Sequence, residues 1–236
     1  MTTLTAKQRE IQERESRILE VARKMVVREG YHGLNMDRIA DAVKYSKGTI
    51  YNHFSCKEEI IIALAAQISS KRVELFQKAA QYRGCSRYRM MAIGQAAEIF
   101  VRDYPDFFEF EEIIQLSSVQ EKTSEKRKIV IQGCEMQCMS VVAGIVRDAV
   151  AQEDLILQDG ITPEKLVFGL WSLTSGAYSI MLKSKSLMHF GFDDPFQLVQ
   201  QHTSFMLDGF GWNPISTEYE ADEVVEKIRK ELFATT

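Results

Sequence analysis

The sequence predicts an all-α protein, and three observations support this prediction. Apolar residues recur at the three- and four-residue spacing of amphipathic helices along most of the chain. No segment shows the sustained two-residue alternation that is typical of a half-buried strand. Breaks between the periodic segments fall at helix-ending residues, among them Pro105, Gly191 and Pro195.

The first four helices are expected within the first 80 residues. The first helix should end near Glu29, because Gly30 can adopt a left-handed cap without strain. Asn35 is a suitable N-cap for a short second helix, and a third short helix should span residues 46–54. The fourth helix should begin at Ser55 and continue to about residue 80. The rest of the chain predicts further helices at about 87–103, 106–118, 123–152, 163–183, 194–209 and 217–233.

Composition excludes several classes of protein. Of the 236 residues 45% are hydrophobic and 26% are charged, as expected of a soluble globular protein and not of a disordered chain. Four cysteines in a chain of this length argue against a disulfide scaffold, and no secretory signal or membrane span is recognisable. A cytoplasmic location is therefore expected.

Charge is distributed unevenly along the chain. Residues 1–57 carry a net charge of +4 and the remainder carries -8, which together give the net charge of -4. A basic N-terminal part on an acidic body is compatible with a polyanionic partner such as DNA.

The second and third helices, with the turn Lys44-Tyr45 between them, fit a helix-turn-helix unit. In the third helix Ile50 and Phe54 are four residues apart and should face inward. The opposite face should then carry polar side chains suited to a major groove, with Gly48 allowing close approach of the backbone. These outward or flanking positions are Lys47, Gly48, Thr49, Tyr51, Asn52 and His53.

This segment resembles the DNA-binding domain of the tetracycline-repressor (TetR) family of bacterial regulators. The resemblance covers residues 16–63 and depends on Ile39-Ala40, on the run from Ser46 to Phe54, and on Lys57-Glu58-Glu59. It implies a helix-turn-helix domain at 1–62 and a larger helical domain for effector binding and dimerisation at 63–236, with the fourth helix linking the two.

The resemblance also implies which residues contact DNA. Positions 47, 49, 51 and 53 correspond to the family's recognition helix, Asn52 to a variable outward position, and Lys57 to a phosphate contact. Three positions depart from the family's pattern: Lys44 replaces a common glycine, Tyr45 a small aliphatic residue, and Asn35 a frequent threonine. The predicted DNA-binding set is Asn35, Lys44, Tyr45, Ser46, Lys47, Gly48, Thr49, Tyr51, Asn52, His53 and Lys57.

A dimer interface is predicted from the helices at 163–183 and 194–209. The first of these helices is apolar nearly all round and carries a ridge of small residues, so it should pack on its own domain and on a partner. We expect two copies to form a two-fold four-helix bundle. The predicted interface residues are Gly169, Ser172, Gly176, Ser179, Leu198, His202, Phe205 and Met206.

An effector pocket is implied by the resemblance, and its candidate lining is aromatic or contains methionine. Such side chains suit an apolar or aromatic small molecule. The candidates are Phe107, Phe108, Phe110, Met136, Met139, Trp171 and Tyr178. Cys134 and Cys138 are four residues apart but supply only two possible ligands, so no metal or cofactor is predicted.

The sequence therefore predicts a one-component transcriptional regulator, in the first instance a repressor, that binds a palindromic operator as a homodimer and responds to a small molecule. An enzyme is not predicted, because no glycine-rich phosphate loop or nucleophile motif is present. Two alternatives remain: a DNA-binding regulator without a small-molecule effector, and a ligand-binding or catalytic helical protein with a vestigial DNA-binding head.

Overall fold

A computed structural model of the chain describes residues 5–184, 187 and 191–234, and within these residues every regular element is helical. The predicted all-α class is confirmed. The helices are α1 (Ala6–Gly33), α2 (Met36–Val43), α3 (Lys47–His53), α4 (Lys57–Ala80), α5 (Ser86–Asp103), α6 (Phe107–Ile114), α7 (Ser117–Lys122), α8 (Glu125–Ala151), α9 (Pro163–Lys183), α10 (Pro195–Gly209) and α11 (Ala221–Ile228), with a 3-10 turn at Ser216–Glu218 and a π-turn at Arg229–Phe233.

Most helix boundaries agree with the sequence, and three differ. The helix predicted at 217–233 begins at Ala221, after a separate 3-10 turn at Ser216–Glu218. Gly30 has a φ of 71° and kinks α1, and one further turn follows it to Gly33. The helix predicted at 106–118 is interrupted, because Leu116 adopts an extended conformation and Ser117 begins α7. Local propensity does not reveal this break, since the interrupted segment contains neither glycine nor proline.

The chain forms two compact units that are discontinuous in sequence. The first contains Met1–Ser69 and Asp106–Gly133, and the second contains Ser70–Pro105 and Cys134–Thr236. The contacts thus group α6, α7 and the first turns of α8 with the N-terminal helices. A boundary at a single point near residue 62 does not describe this grouping, and the two-domain division remains a prediction.

The core of the first unit sets the position of α3. Ile18 and Val26 of α1, Ile39 of α2 and Ile50 of α3 are fully buried, and Phe54 is 1% exposed. Seven residues are too few for a helix that is stable alone, so this apolar packing holds α3 in place. The face of α3 opposite Ile50 is consequently left for solvent or a partner.

The core of the second unit is formed by α5, α8, α9, α10 and the C-terminal segment. Trp212 is fully buried, and its indole Nε1 donates to Ser86 Oγ at 2.9 Å. The C-terminal segment is docked through buried Ile228 and Phe233. Arg229 fixes it further, because its guanidinium donates to Glu98 at 3.1 Å.

Helix α8 is long and apolar enough to meet the length and composition criteria for a membrane span. Its second half contributes Val142, Ile145 and Val146 to the core of the second unit. Core helices of soluble proteins acquire the same composition through such burial, so we assign α8 to the protein core.

Candidate nucleic-acid interface

Capping residues fix the ends of α2 and the start of α3, and so define the turn between these helices. Asn35 caps α2, with its Oδ1 accepting from the backbone N–H of Asp37 at 2.9 Å. Lys44 ends α2 in the left-handed conformation, at φ 58° and ψ 41°. Ser46 caps α3, with its Oγ accepting from the backbone N–H of Thr49 at 3.1 Å. A lysine in this conformation costs roughly 1 kcal/mol relative to glycine, and the surrounding packing must offset this cost.

Helix α3 presents one polar face to solvent. Tyr51 is 51% exposed, and Lys47, Gly48 and Asn52 are exposed as well. Thr49 and His53 flank this face and are partly buried. A helix that packs on one side through a single isoleucine and offers lysine, tyrosine and asparagine on the other has the geometry of a major-groove recognition element.

Lys47 carries an ion pair at the edge of this face. Its Nζ lies 2.7 Å from Asp37 Oδ2, and both side chains are more than half exposed. The hydrogen bond to Asp37 raises the pKa of Lys47, which is therefore charged at neutral pH. If Lys47 contacts DNA as predicted, Asp37 competes with the DNA for its ammonium group.

Replacement of Asp37 by asparagine should therefore strengthen DNA binding by up to about fivefold. The exposed ion pair contributes little to stability, and its removal frees Lys47 and removes a carboxylate from the DNA-facing side. Titration of a labelled duplex at fixed salt tests this effect, with Asp222→Asn of α11 as a control that changes the charge equally. Unchanged or weaker binding by the Asp37 variant alone would contradict it.

Two further predicted contacts are partly engaged inside the protein. The Tyr45 hydroxyl accepts from Arg17 at 3.3 Å. Lys57 lies over the ring of Tyr31, with Nζ 4.2 Å from its centroid, and donates to the Tyr31 carbonyl at 3.4 Å. Tyr45 and Lys57 are thus less free to meet a partner than the exposed residues of α3.

Asp106, just before α6, and Lys122 of α7 form ion pairs with α1 and α4 that the sequence does not indicate. Arg23 of α1 makes a two-pronged contact with Asp106, with distances of 2.6 and 2.7 Å. Glu58 of α4 accepts from the Tyr31 hydroxyl at 2.9 Å and from Lys122 at 3.3 Å. The partners lie far apart in sequence, and no local pattern pairs them.

Glu58 and Glu59 of α4 are both buried and both ionised at neutral pH. Burial raises the pKa of each carboxyl, but hydrogen bonds to the charged forms outweigh it and the net shift is downward. Burial and the Glu58 carboxylate in turn raise the pKa of Tyr31 to about 12, so the phenol remains a donor.

The predicted effector residues are divided between the two units and do not form one pocket within either. Phe107 and Phe110 are buried in the first unit, and Phe108, also in the first unit, is partly buried. Met136 is 70% exposed and Trp171 is 50% exposed, so these two do not line an enclosed site. The effector pocket stays a prediction, because an apolar residue on a helix shows that a face is covered, but not by what.

The other two predicted effector residues, Met139 and Tyr178, lie in the second unit. Met139 is partly buried against its core. Tyr178 packs on Phe196 with ring centroids 5.8 Å apart. Burial raises the pKa of Tyr178 far above its ordinary value, and the negative charge of Glu98 makes a smaller contribution in the same direction.

The predicted interface residues of α9 and α10 fall into two groups. Gly169 and Met206 face each other within the chain, because a Cβ at Gly169 would lie 2.4 Å from the Met206 methyl group. This pair therefore contributes to the α9–α10 contact within one chain, and its place in a dimer interface stays a prediction. Ser172, Gly176, His202 and Phe205 are exposed, and Ser179 and Leu198 are partly exposed.

The cysteines show no sign of a metal site. No group of three or more potential ligands occurs in the described part of the chain. Cys134 is partly buried and Cys138 is buried. Burial raises the pKa of both thiols in spite of the nearby Arg72, which is the behaviour of apolar core cysteines.

The exposed recognition helix and its supporting fold define a helix-turn-helix protein of the kind found among transcriptional regulators. Residues 18–64 match the family "Bacterial regulatory proteins, tetR family". The predicted resemblance to that family is confirmed over this segment.

Curated relatives match a part of the chain. The "HTH-type transcriptional repressor AcnR" of Corynebacterium diphtheriae is 36% identical over 66 residues, which cover 28% of this chain and 35% of that protein. The "HTH-type transcriptional activator FasR" of Mycolicibacterium smegmatis is 33% identical over 89 residues, which cover 38% of this chain and 41% of that protein. The chain thus matches less than half the length of these relatives. Both relatives are named as transcriptional regulators and neither as an enzyme.

Solved structures are similar over nearly their whole length. A transcriptional regulator of the TetR/AcrR family from Thermobifida fusca has a TM-score of 0.59 at 19% identity, covering 84% of this chain and 98% of that one. The TetR-family regulator PfmR from Thermus thermophilus also has a TM-score of 0.59, at 16% identity, with coverage of 81% and 97%. At such identities the likeness concerns the fold alone.

Proposed function

We propose that this protein is a bacterial transcriptional regulator that binds a palindromic DNA operator as a homodimer. The observation that carries the proposal is the solvent-exposed face of α3, with Lys47, Tyr51 and Asn52, in a domain of the tetR family. A protein with this function acts in the cytoplasm, where the bacterial chromosome lies.

The proposed contacts divide into base contacts and phosphate contacts. Lys47 and Asn52 are suited to base edges, and Tyr51 to a phosphate or a thymine methyl group. The backbone at Gly48 can approach the duplex closely. The remaining proposed contacts, mainly with the sugar-phosphate backbone, come from Asn35, Lys44, Tyr45, Ser46, Thr49, His53 and Lys57.

Dimerisation through α9 and α10 is supported by their exposed apolar surface. Phe168 and Trp171 of α9 are 59% and 50% exposed, and Phe205 of α10 is 55% exposed. Ser172 and Gly176, which follow Trp171 on α9, are also exposed and would allow a partner helix to approach closely. Apolar surface concentrated on adjoining helices in this way marks an interaction site. A two-fold dimer would place two recognition helices about 34 Å apart, one turn of DNA.

The dimer is testable with Phe205→Glu. A glutamate at the two-fold interface loses the buried ring and brings like charges together, so the dimer dissociation constant should rise at least about thirtyfold. Sedimentation should give twice the 27.0 kDa chain mass for the unaltered protein and a concentration-dependent shift towards one chain for the variant. Gln77→Glu, on exposed α4 surface, introduces the same charge and should remain dimeric. Dimers of equal stability in all three proteins would contradict this interface.

Repression and small-molecule control are the finer parts of the proposal. The relatives named above include a repressor and an activator, and we propose repression, which a promoter-reporter assay tests directly. The proposed ligand, apolar or aromatic, is supported by the resemblance to the family. Met139 and Tyr178 are the two candidate residues in the second unit that are not exposed. A thermal-shift screen of apolar and aromatic compounds tests for such a ligand.

The decisive experiment is selection of binding sites from a random duplex library with the full-length protein. The proposal predicts a palindromic consensus whose half-sites are separated by about one helical turn, with strongly salt-dependent affinity. No enrichment at low salt, with and without candidate ligands, would contradict specific DNA binding and favour the vestigial-head alternative.

A further inference from the structure

The guanidinium group of Arg127, in the first turn of α8, contacts three helices of the DNA-binding segment. Its Nε lies 2.6 Å from Glu59 Oε2 of α4, and its Nη2 lies 3.2 Å from Glu15 Oε1 of α1. The same Nη2 donates to the carbonyl of His53 at 3.5 Å. Its Cζ lies 4.6 Å from the centroid of the Phe54 ring, at the end of α3.

The position of this arginine is unfavourable for α8 itself. A cation near a helix N-terminus opposes the helix dipole, whereas Glu125 in the same turn is the favourable kind of residue. The arginine is instead compensated by carboxylates of α1 and α4. Its contacts therefore stabilise the arrangement of the DNA-binding segment rather than the helix that carries it.

The end of α3 that Arg127 contacts determines how the helix is oriented. Its N-terminal end is fixed by the Ser46 cap, and its buried side by Ile50. At its C-terminal end the carbonyl of His53 and the ring of Phe54 both contact Arg127. In a helix of only seven residues, a small displacement of this end turns the outward face relative to the duplex.

The carboxylate partner of Arg127 is itself held firmly. Glu59 accepts a hydrogen bond from the backbone N–H of Ser124 at 2.6 Å, and its side chain is 9% exposed. Burial raises the pKa of Glu59, but the hydrogen bonds from Ser124 and Arg127 lower it by more. The net shift of the pKa is downward, so the carboxylate is charged at neutral pH. Because the Glu59 carboxylate is buried, charged and held by the hydrogen bond from Ser124, it gives the guanidinium of Arg127 a single orientation.

We propose that Arg127 is a positioning residue for DNA recognition: it fixes the C-terminal end of α3 and so sets the orientation in which the exposed face of that helix meets the major groove. The inference rests on the proposed DNA-binding function. It assigns part of the sequence specificity to a residue that lies 74 positions from its contact at the end of α3.

The test uses the full-length protein and the operator selected with the unaltered chain. Arg127→Gln should weaken operator binding by roughly tenfold to a hundredfold, as expected when a base contact is misplaced. Binding to a scrambled duplex should change no more than in Lys126→Gln, which removes the same charge from the next, exposed residue. Arg127→Lys should show an intermediate loss of operator affinity. Lysine can pair with Glu59, but it lacks the planar guanidinium group that makes the other contacts.

Several results would overturn the proposal. An operator affinity of Arg127→Gln equal to that of Lys126→Gln would show that Arg127 does not position α3. If Arg127→Gln loses equal affinity for operator and scrambled DNA, and the slope of log affinity against log salt concentration falls by about one, Arg127 is a phosphate contact instead. If Arg127→Gln does not fold by circular dichroism, Glu59→Gln serves the same purpose, and retention of full operator specificity by that variant would contradict the proposal. If the unaltered protein selects no operator, the proposed function itself fails, which is a distinct outcome.

Discussion

A variant with alanine at both Lys47 and Tyr51 should bind its operator roughly a thousandfold more weakly while keeping its fold. Losses of about fivefold or more are expected for each recognition-helix contact, and a dimer loses both contacts twice, so four such losses multiply. Neither side chain supports the core: Tyr51 is 51% exposed, and Lys47 reaches only across the surface to Asp37. The effect should therefore appear in DNA binding and not in stability.

The measurement is site selection followed by titration of the selected duplex at one salt concentration. Lys71→Ala, in the second unit, changes the net charge as Lys47→Ala does and should leave operator affinity unchanged. Thermal unfolding of the double variant should match that of the unaltered protein within 2–3 °C, as is usual for surface substitutions. If the double variant selects the same consensus with the same affinity, α3 is not the recognition helix.

The sequence identifies α3 because the relevant rules act over a few residues. Asn35 caps α2 as predicted, Lys44 takes the left-handed turn position, and Ile50 points inward. Each of these outcomes depends on a neighbour within four residues. Capping and helical periodicity are local properties, so one sequence suffices to predict the recognition face.

The contacts that hold this face in place are long-range and were not predictable. Asp106 and Arg23 are 83 residues apart, and Arg127 and Glu59 are 68 residues apart. One local signal did exist: Arg127 is a cation in the first turn of a helix, where the dipole disfavours it. Such a residue implies a carboxylate elsewhere, although the sequence does not say which one.

The predicted effector residues show that helical spacing indicates burial but not what covers the buried face. The phenylalanines near residue 107 are apolar at helical spacing, which correctly indicates burial of Phe107 and Phe110. The same spacing leaves open whether a core, a ligand or a second chain covers them. Trp171 illustrates this ambiguity. The sequence predicts it in an effector pocket, whereas it lies on the exposed face of α9 that we propose for the dimer.

The second large effect is expected from Arg87→Met, which should lower the free energy of unfolding by about 3–5 kcal/mol. Arg87 is fully buried, and its guanidinium donates to the carbonyl of Trp212 at 2.9 Å and to Ser204 Oγ at 2.9 Å. It also lies 2.7 Å from Asp208 Oδ1. Burial raises the pKa of Asp208, but hydrogen bonds from Ser216 and Arg87 outweigh it, so a charged carboxylate loses its partner in the variant.

This substitution separates stability of the second unit from DNA recognition. Methionine fills much of the space of the arginine stem, so the loss should come from unpaired acceptors rather than from a cavity. At 2–4 °C per kcal/mol, the melting temperature should fall by roughly 10 °C. Arg83→Met, on an exposed residue four positions earlier, should have little effect. At temperatures and protein concentrations where the Arg87 variant is folded and dimeric, its operator affinity should equal that of the unaltered protein, because Arg87 lies in the unit that does not contain α3. A melting temperature equal to that of Arg83→Met would show that the buried guanidinium contributes nothing net to the fold.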